Sequence, residues 1–292
     1  MATPDHTSDG NDDGYAQARP RREFELSDRN FEFISRFIRG YAGIELTEAK
    51  RDLVYSRLVR RLRQLGMRSF NEYCKLLESD SAEERERCVN ALSTNLTSFF
   101  REPHHFRYLK QELVPALVSE KTERRITVWS AGCSTGEEPY SIAITLAESL
   151  PAGWDYRILA TDLDSSVVET ATAGNYSTER IAGIDPEVAK RWFLAGRGAN
   201  AGRVQVKDEL RRHITFRKLN LLERWPMRRT VDIIFCRNTI IYFSKETQKA
   251  LFERFHDILR PAGHVFIGHS ESLYKVTESF RLLGQTIYQR IP

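Results

Sequence analysis

Trp129-Ser-Ala-Gly-Cys-Ser-Thr-Gly-Glu-Glu-Pro-Tyr-Ser141 joins an apolar run, Ile126-Thr-Val-Trp-Ser130, to a helical pattern that ends near Leu150. The run reads as a strand, and Gly132 and Gly136 supply the tight turn into the helix. Such a turn leaves helix N–H groups unpaired and forms the crevice of an open parallel sheet. The unit recurs downstream. Tyr156-Arg-Ile-Leu-Ala-Thr161 is a second strand, followed by a helix near 165–173. Ile214–Arg217 is a third strand, and Val231–Phe235 a fourth with a helix over 245–259. Gly263–Ile267 is a fifth and Gln285–Gln289 a late sixth. This alternation predicts the α/β class, a doubly wound and mostly parallel sheet with helices on both faces. Residues 186–212 break the rhythm. Trp192-Phe-Leu-Ala-Gly-Arg-Gly-Ala-Asn-Ala-Gly-Arg-Val-Gln-Val206 predicts a glycine-turned hairpin, an antiparallel β subdomain inserted in the larger domain.

Upstream the period is helical. Phe31, Ile34, Phe37 and Ile38 recur behind a capping Ser27. A second helix is predicted from Thr47, its cap, to Leu65, with Leu53, Val54, Leu58, Leu62 and Leu65 as its apolar stripe. Two more cover 69–78 and 82–93. Residues 25–93 therefore predict a small all-helical domain, 94–108 a linker and 109–292 the α/β domain. Residues 1–24, with four Asp and one Arg up to Pro20, predict a disordered acidic tail. A chain of 292 residues, 41% hydrophobic, can bury two cores, and 44 basic against 40 acidic side chains exclude a nucleic-acid wrapper. Cys74, Cys88, Cys133 and Cys236 form no C-x-x-C pair, which fits a reducing, cytoplasmic compartment. No run of 18 apolar residues is long enough for a membrane span, and no His/Cys/Asp/Glu group has zinc spacing, so no metal is expected.

Candidate chemistry gathers at strand ends. The glycine loop lacks the G-K-[ST] of a phosphate loop, and Glu137 and Glu138 would repel a triphosphate. Asp162, in Thr161-Asp-Leu-Asp164, is placed to accept ribose hydroxyls, while Asp164 suits a helix cap or turn. An acidic loop, a ribose acid and no phosphate clamp suit S-adenosylmethionine, a cation without phosphate. Arg237, Asn238 and Tyr242 follow the fourth strand, and Asn95, Thr97 and Arg101 lie on the linker, where a pocket between domains would be walled. His269-Ser-Glu271 reads as a loop closing the sheet edge, since no G-x-S-x-G elbow is present. Residues 50–63 hold six basic side chains and one acid on one helix, and Arg57 and Arg61 lie one turn apart. A solvated face and docking to an acidic surface both fit.

Together, TNLTSFFREPHHF at 94–106, VWSAGCSTGEEPYSIA at 128–143, ATDLD at 160–164, NLL at 220–222, FCRNTIIYF at 235–243 and GHSES at 268–272 closely resemble the CheR-type chemotaxis receptor methyltransferases. The resemblance spans roughly residues 26–290. It implies a Rossmann-like methyltransferase domain behind a helical receptor-docking domain. It also implies a monomer that methylates glutamates on chemoreceptor cytoplasmic domains from S-adenosylmethionine, leaving S-adenosylhomocysteine. By carry-over, Asn95, Thr97, Arg101, Ala131, Glu137, Asp162, Asn220, Leu221 and Asn238 bind the cofactor, with Ala131 and Glu137 at its methionine end. Arg101, Arg237 and Tyr242 serve the reacting region, and Arg51, Arg57, Arg60 and Arg61 dock the receptor. In some members the inserted hairpin tethers an aromatic, acidic pentapeptide at the receptor's end by strand addition. Gly196, Gly198 and Gly202 match that glycine-spaced loop, with an open edge expected at Arg203, Val204, Val206 and Lys207. A small-molecule methyltransferase and a cofactor-free adaptor are the rival classes.

Overall fold

The computed structural model describes residues 22–79, 81–227 and 229–292, so the expected acidic tail lies almost wholly outside the described residues. Four helices open the chain: α1 (Asp28–Ala42), α2 (Arg51–Gln64), α3 (Phe70–Glu78) and α4 (Ala82–Leu92). Ser27, Ser69 and Ser81 each accept an N–H of the first turn, which fixes where α1, α3 and α4 start. Thr47 does not do the same. It makes no side-chain cap bond, and Glu48–Lys50 forms a separate 3-10 turn before α2. Val54, Leu58, Val59 and Leu62 carry the buried stripe of α2 into a core with Phe31, Ile34, Ile38 and Phe70, whereas Leu53 and Leu65 face solvent.

After α5 (Pro103–Tyr108), a π turn and α6 (Val114–Glu120), the chain enters the sheet. Its elements are β1 (Arg125–Ala131), α7 (Glu137–Ser149), β2 (Asp155–Asp162), α8 (Ser165–Ala173), β3 (Asn175–Ser177), α9 (Pro186–Trp192), β4 (Phe193–Ala195), β5 (Arg203–Val206), α10 (Asp208–Arg211), β6 (Ile214–Lys218), β7 (Val231–Cys236), α11 (Lys245–Ile258), β8 (Leu259–Ile267), β9 (Phe280–Gly284) and β10 (Ile287–Arg290). Seven strands run in the order β6-β2-β1-β7-β8-β10-β9, parallel from β6 to β8 and antiparallel through β10 and β9. The winding reverses between β1 and β7, so their carboxyl ends flank the crevice where ligands bind in such sheets. The predicted sixth strand is β10, and its antiparallel neighbour β9 has no counterpart among the predicted strands. Among the described residues, no helix is long and apolar enough to cross a membrane.

The insertion differs from the expected hairpin. It is a three-stranded sheet in the order β3-β5-β4, and it begins at Asn175 rather than near 186. Its middle strand is β5. Arg203, Val204 and Val206 therefore sit in a strand paired on both sides, and the Lys207 N–H is taken by the Trp192 carbonyl. The expected open edge is not there, because β3 claims the side of β5 that the hairpin reading left free. The free edges are β3 and β4. The glycine loop does turn the chain: Gly198 and Gly202 have φ of 58° and 80°, and a Cβ on Gly196 would stand 2.1 Å from the Asn200 carbonyl oxygen.

The basic helix is likewise used internally. Arg61 forks onto Glu84 of α4, with Nε 2.8 Å from Oε1, and Tyr73 donates to the same carboxylate. Arg57 donates to the carbonyls of Leu92 and Ser93 and to Thr94. Arg51 is held by Glu48 and Asp28. Of the four residues expected to dock a receptor, Arg60 alone is exposed with no partner among the described residues. Helical geometry explains this: 57 and 61 share the face that packs on α4, and 60 lies outside it. Glu84 is 4% exposed, so Arg61→Ala strands a buried charge. Urea unfolding should show a loss of about 3 kcal/mol. A change under about 0.5 kcal/mol would mean that Arg61 faces solvent instead.

Candidate functional site

One pocket lies between the helical domain and the carboxyl edge of the sheet. The helical domain contributes Ala42, Ile44, Leu46, Lys50 and Leu53, and the linker contributes Asn95, Leu96, Thr97 and Arg101. The sheet side supplies Gly132 and Ser134 after β1, Asp162 after β2, Asn220 and Leu221 after β6, and Arg237, Asn238 and Tyr242 after β7. Seven of the nine expected cofactor residues, and all three expected reacting residues, thus line one cavity.

The two exceptions are Ala131 and Glu137. Ala131 is fully buried as the last residue of β1, one position before the lining Gly132. Glu137 is fully buried too, and its carboxylate is taken by Arg180 and by Thr135 Oγ1 at 2.6 Å. The acid in the pocket wall is its neighbour Glu138. Consecutive residues at a helix start point about 100° apart, so sequence alone leaves open which of two glutamates faces in. Ser130 donates to Glu138 at 2.7 Å, Arg237 stands 3.2 Å away, and burial raises the carboxyl's pKa.

Arg237 is also placed differently from the expectation. Its side chain is 3% exposed and lies 3.2 Å from both Glu138 and Glu102, while it donates to the Arg101 carbonyl. A guanidinium between two carboxylates is not free to take a third, so Arg237 builds the wall. Arg101 is the available cation. Its guanidinium donates to the Leu96 carbonyl at 2.9 Å and has no carboxylate partner among the described residues. Tyr242 lines the same pocket. Lys50 lies 5.3 Å from the Tyr242 ring centre, and the Tyr242 carbonyl accepts the Glu45 N–H.

The remaining residues position the rest. Asp162 accepts the N–H of Ser134 and of Asp164 at 2.8 and 3.0 Å, and burial pushes its carboxyl up to about 6. Asp164 caps α8 through Ser166 and also accepts from Asn95 at 2.8 Å, tying linker to sheet. Asn220 donates to the Tyr41 carbonyl of α1, so its side chain joins the domains while Leu221 completes the wall. Asn238, at φ 56°, is held by Glu271, which also accepts the N–H groups of Ile240, Ile241 and Gly268. This brace is the sheet-edge loop read from His269-Ser-Glu271. Glu102, His104 and His105 come within 4.8 Å of one another. They sit at the start of α5 beside Arg237, and both the helix dipole and that guanidinium oppose a cation there.

Charge in the pocket is divided. Asp162 and the paired Glu138 and Arg237 come from the sheet side, Lys50 and Arg101 from the helical domain and linker. The residues fit S-adenosylmethionine: the Asp162 carboxylate suits the ribose hydroxyls, and no phosphate clamp is present among the described residues. A Cβ on Gly132 would stand 2.4 Å from Thr239 Oγ1, so the loop approaches as closely as glycine allows.

The family described as "CheR methyltransferase, SAM binding domain" matches residues 95–289, and "CheR methyltransferase, all-alpha domain" matches residues 29–93. A "Chemotaxis protein methyltransferase" of Klebsiella aerogenes is 44% identical over 278 residues, covering 94% of each chain. "Chemotaxis protein methyltransferase 2" of Pseudomonas aeruginosa is 45% identical over 270 residues, 91% of this chain and 95% of that one.

The carboxyl of Asp162 at about 6 gives a pH test. Above that value it is ionised and accepts both hydroxyls. Below it the added proton removes an acceptor. Calorimetry should find cofactor affinity constant above about pH 7 and falling by up to about tenfold per unit below about 6. Asp162→Asn should bind about tenfold more weakly at pH 7.5, a loss of about 1.4 kcal/mol, and should lose the Asp162-dependent part of the acid slope. A parent affinity that is flat from pH 5 to 7.5 would remove the ribose role.

Proposed function

The chain belongs to the CheR methyltransferase family, and from that premise we propose that its divided pocket esterifies glutamate side chains of chemoreceptor cytoplasmic domains. The observation that carries the reading is a pocket where Asp162 arrives from the sheet and Arg101, without a carboxylate partner among the described residues, from the linker. S-adenosylmethionine supplies the activated methyl when bound. Asp162 holds it, Asn95 and Thr97 wall it, and Leu221 and Asn238 close its sheet side.

The substrate carboxylate is ionised near neutral pH and needs no general base. It needs aim and dryness. Arg101 supplies the aim, since its guanidinium is the one at the pocket without a carboxylate. Anchored to the Leu96 carbonyl, it directs one carboxylate oxygen while the other attacks. The Tyr242 hydroxyl has no partner among the described residues and can donate to the same carboxylate. Ile44, Leu46 and Leu53 of the helical domain keep water out. Arg237 acts through Glu138 and the Arg101 backbone rather than on the substrate.

Arg101→Ala should cut methyl transfer to a receptor cytoplasmic fragment at least about 30-fold, roughly 2 kcal/mol of barrier, with cofactor affinity and melting temperature little changed. Base-labile radiolabel from the methyl donor reads it. Initial rates within twofold of the parent would remove Arg101 from the reaction.

The receptor's terminal peptide is captured at β4. Pairing of Leu194 with Gln205 turns the backbone of Ala195 to the free edge. Leu194 is 52% exposed and shares the outer face with Arg203, an apolar and basic pair suited to an aromatic, acidic strand. A labelled pentapeptide should bind with a Kd of order micromolar, about −8 kcal/mol. Ala195→Pro, which deletes the outward donor, should abolish that binding and spare methylation of fragments lacking the peptide. No saturation by about 1 mM peptide in fluorescence anisotropy, well above micromolar affinity, would remove the tether and leave the enzyme reading intact.

A further inference from the structure

Of the eight large apolar side chains exposed among the described residues, four lie in the pocket lining or on loops at the same edge of the sheet. Leu96 is 77% exposed, Tyr274 75%, Ile241 48% and Leu53 36%. Leu53 and Leu96 stand in the pocket lining. Ile241 lies in the turn after β7, next to Tyr242, and Tyr274 in the loop after β8. Both loops leave the sheet at the carboxyl edge that carries Gly132 and Asp162, because β7 and β8 run parallel to β1 and β2. Glu271 binds the two loops together through the N–H groups of Asn238, Ile240, Ile241 and Gly268. Exposed apolar groups at the edge of a polar pocket mark a surface that a protein partner covers.

Resting on the glutamate-methylation reading, we propose that Leu96, Leu53, Ile241 and Tyr274 form an apolar rim that seats the receptor helix carrying the target glutamate. The partner is a helix with an acidic, amphipathic surface. Arg60 follows Leu53 by seven residues, on the same face of α2, and is exposed and unpaired among the described residues. Lys50 stands one turn before Leu53 at the pocket itself. Rim and flank together therefore match an apolar stripe bordered by acids. Leu96 sits between Asn95 and Thr97, both lining the pocket, and its carbonyl holds Arg101. On a helix whose glutamate enters the pocket, residues three and four positions away lie about 5–6 Å from it, over the rim. Leu96 therefore reads those neighbours, and a charged side chain there would be stripped of water against leucine without a partner. The rim decides which glutamates of a bundle are accepted, a task that the pocket, which sees one carboxylate, cannot perform.

The test is steady-state methylation of a soluble chemoreceptor cytoplasmic fragment by the full chain. Leu96→Ser and, outside the pocket lining, Tyr274→Ala are compared with the parent. Each should raise KM for the fragment about five- to tenfold, Tyr274→Ala with kcat and cofactor affinity within about twofold, and Leu96→Met should keep the parent KM. In the fragment, aspartate placed four residues from the methylated glutamate should lower kcat/KM for the parent and do so less for Leu96→Ser. A KM within twofold for both variants overturns the rim. So does a rise in KM matched by an equal loss of cofactor affinity, which would place Leu96 in cofactor binding instead. A parent that methylates no receptor fragment while methylating a small carboxylate overturns the glutamate-methylation reading itself. The two failures are therefore distinguishable.

Discussion

Arg237 lies between Glu102 and Glu138, buried, with its guanidinium 3.2 Å from each carboxylate. Three separate parts of the chain meet there: the end of the linker, the start of α7 and the turn after β7. Taking three charges out of water is costly, and losing any one partner leaves the others uncompensated. The arrangement also sets the backbone around it. Glu102 has φ 58°, a left-handed conformation that a residue with a side chain adopts at a cost, and it is held there by Arg237 and by the N–H and ring of His269. These contacts hold its carboxyl well down, at about 2, against the opposing effect of burial. The next residue upstream is Arg101, whose carbonyl Arg237 also binds. Arg101, whose guanidinium has no carboxylate partner among the described residues, is thus positioned by Arg237.

From this knot the rest of the site follows. The linker is anchored at Asp164 through Asn95 and Ser93, and at α2 through Arg57. The helical domain then closes over the cavity, with Asn220 bound to Tyr41 and Lys218 paired with Glu86. Gly43, at φ 69°, brings the end of α1 so close that a Cβ would meet Leu222 at 2.7 Å. The small domain is therefore a wall of the pocket, and a polar group delivered by one domain can face a charge delivered by the other.

Periodicity and turn chemistry settled the α/β core, the helical domain and the crevice, because strand-to-helix glycine turns, serine caps and apolar stripes are local properties of the chain. The α8 range of 165–173, its Asp164 cap and the loop at His269-Ser-Glu271 were legible for the same reason. So was the set of residues at the strand ends, since a parallel sheet collects its carboxyl ends on one edge. Pairing was not legible. Which of Glu137 and Glu138 faces the pocket depends on Arg180 and Arg237, which arrive from 43 and 99 residues away. Arg57 and Arg61 looked like an exposed basic face until α4 packed against them, and the strand at Arg203–Val206 looked like an edge until β3 paired with it. Sequence alone determined the helical domain, the parallel strands in their order along the chain and the types of side chain offered at the crevice. Tertiary structure decided which charges are spent on one another and which remain for a ligand, because neutralising a buried charge takes a partner within a few ångströms, and only folding brings distant residues that close.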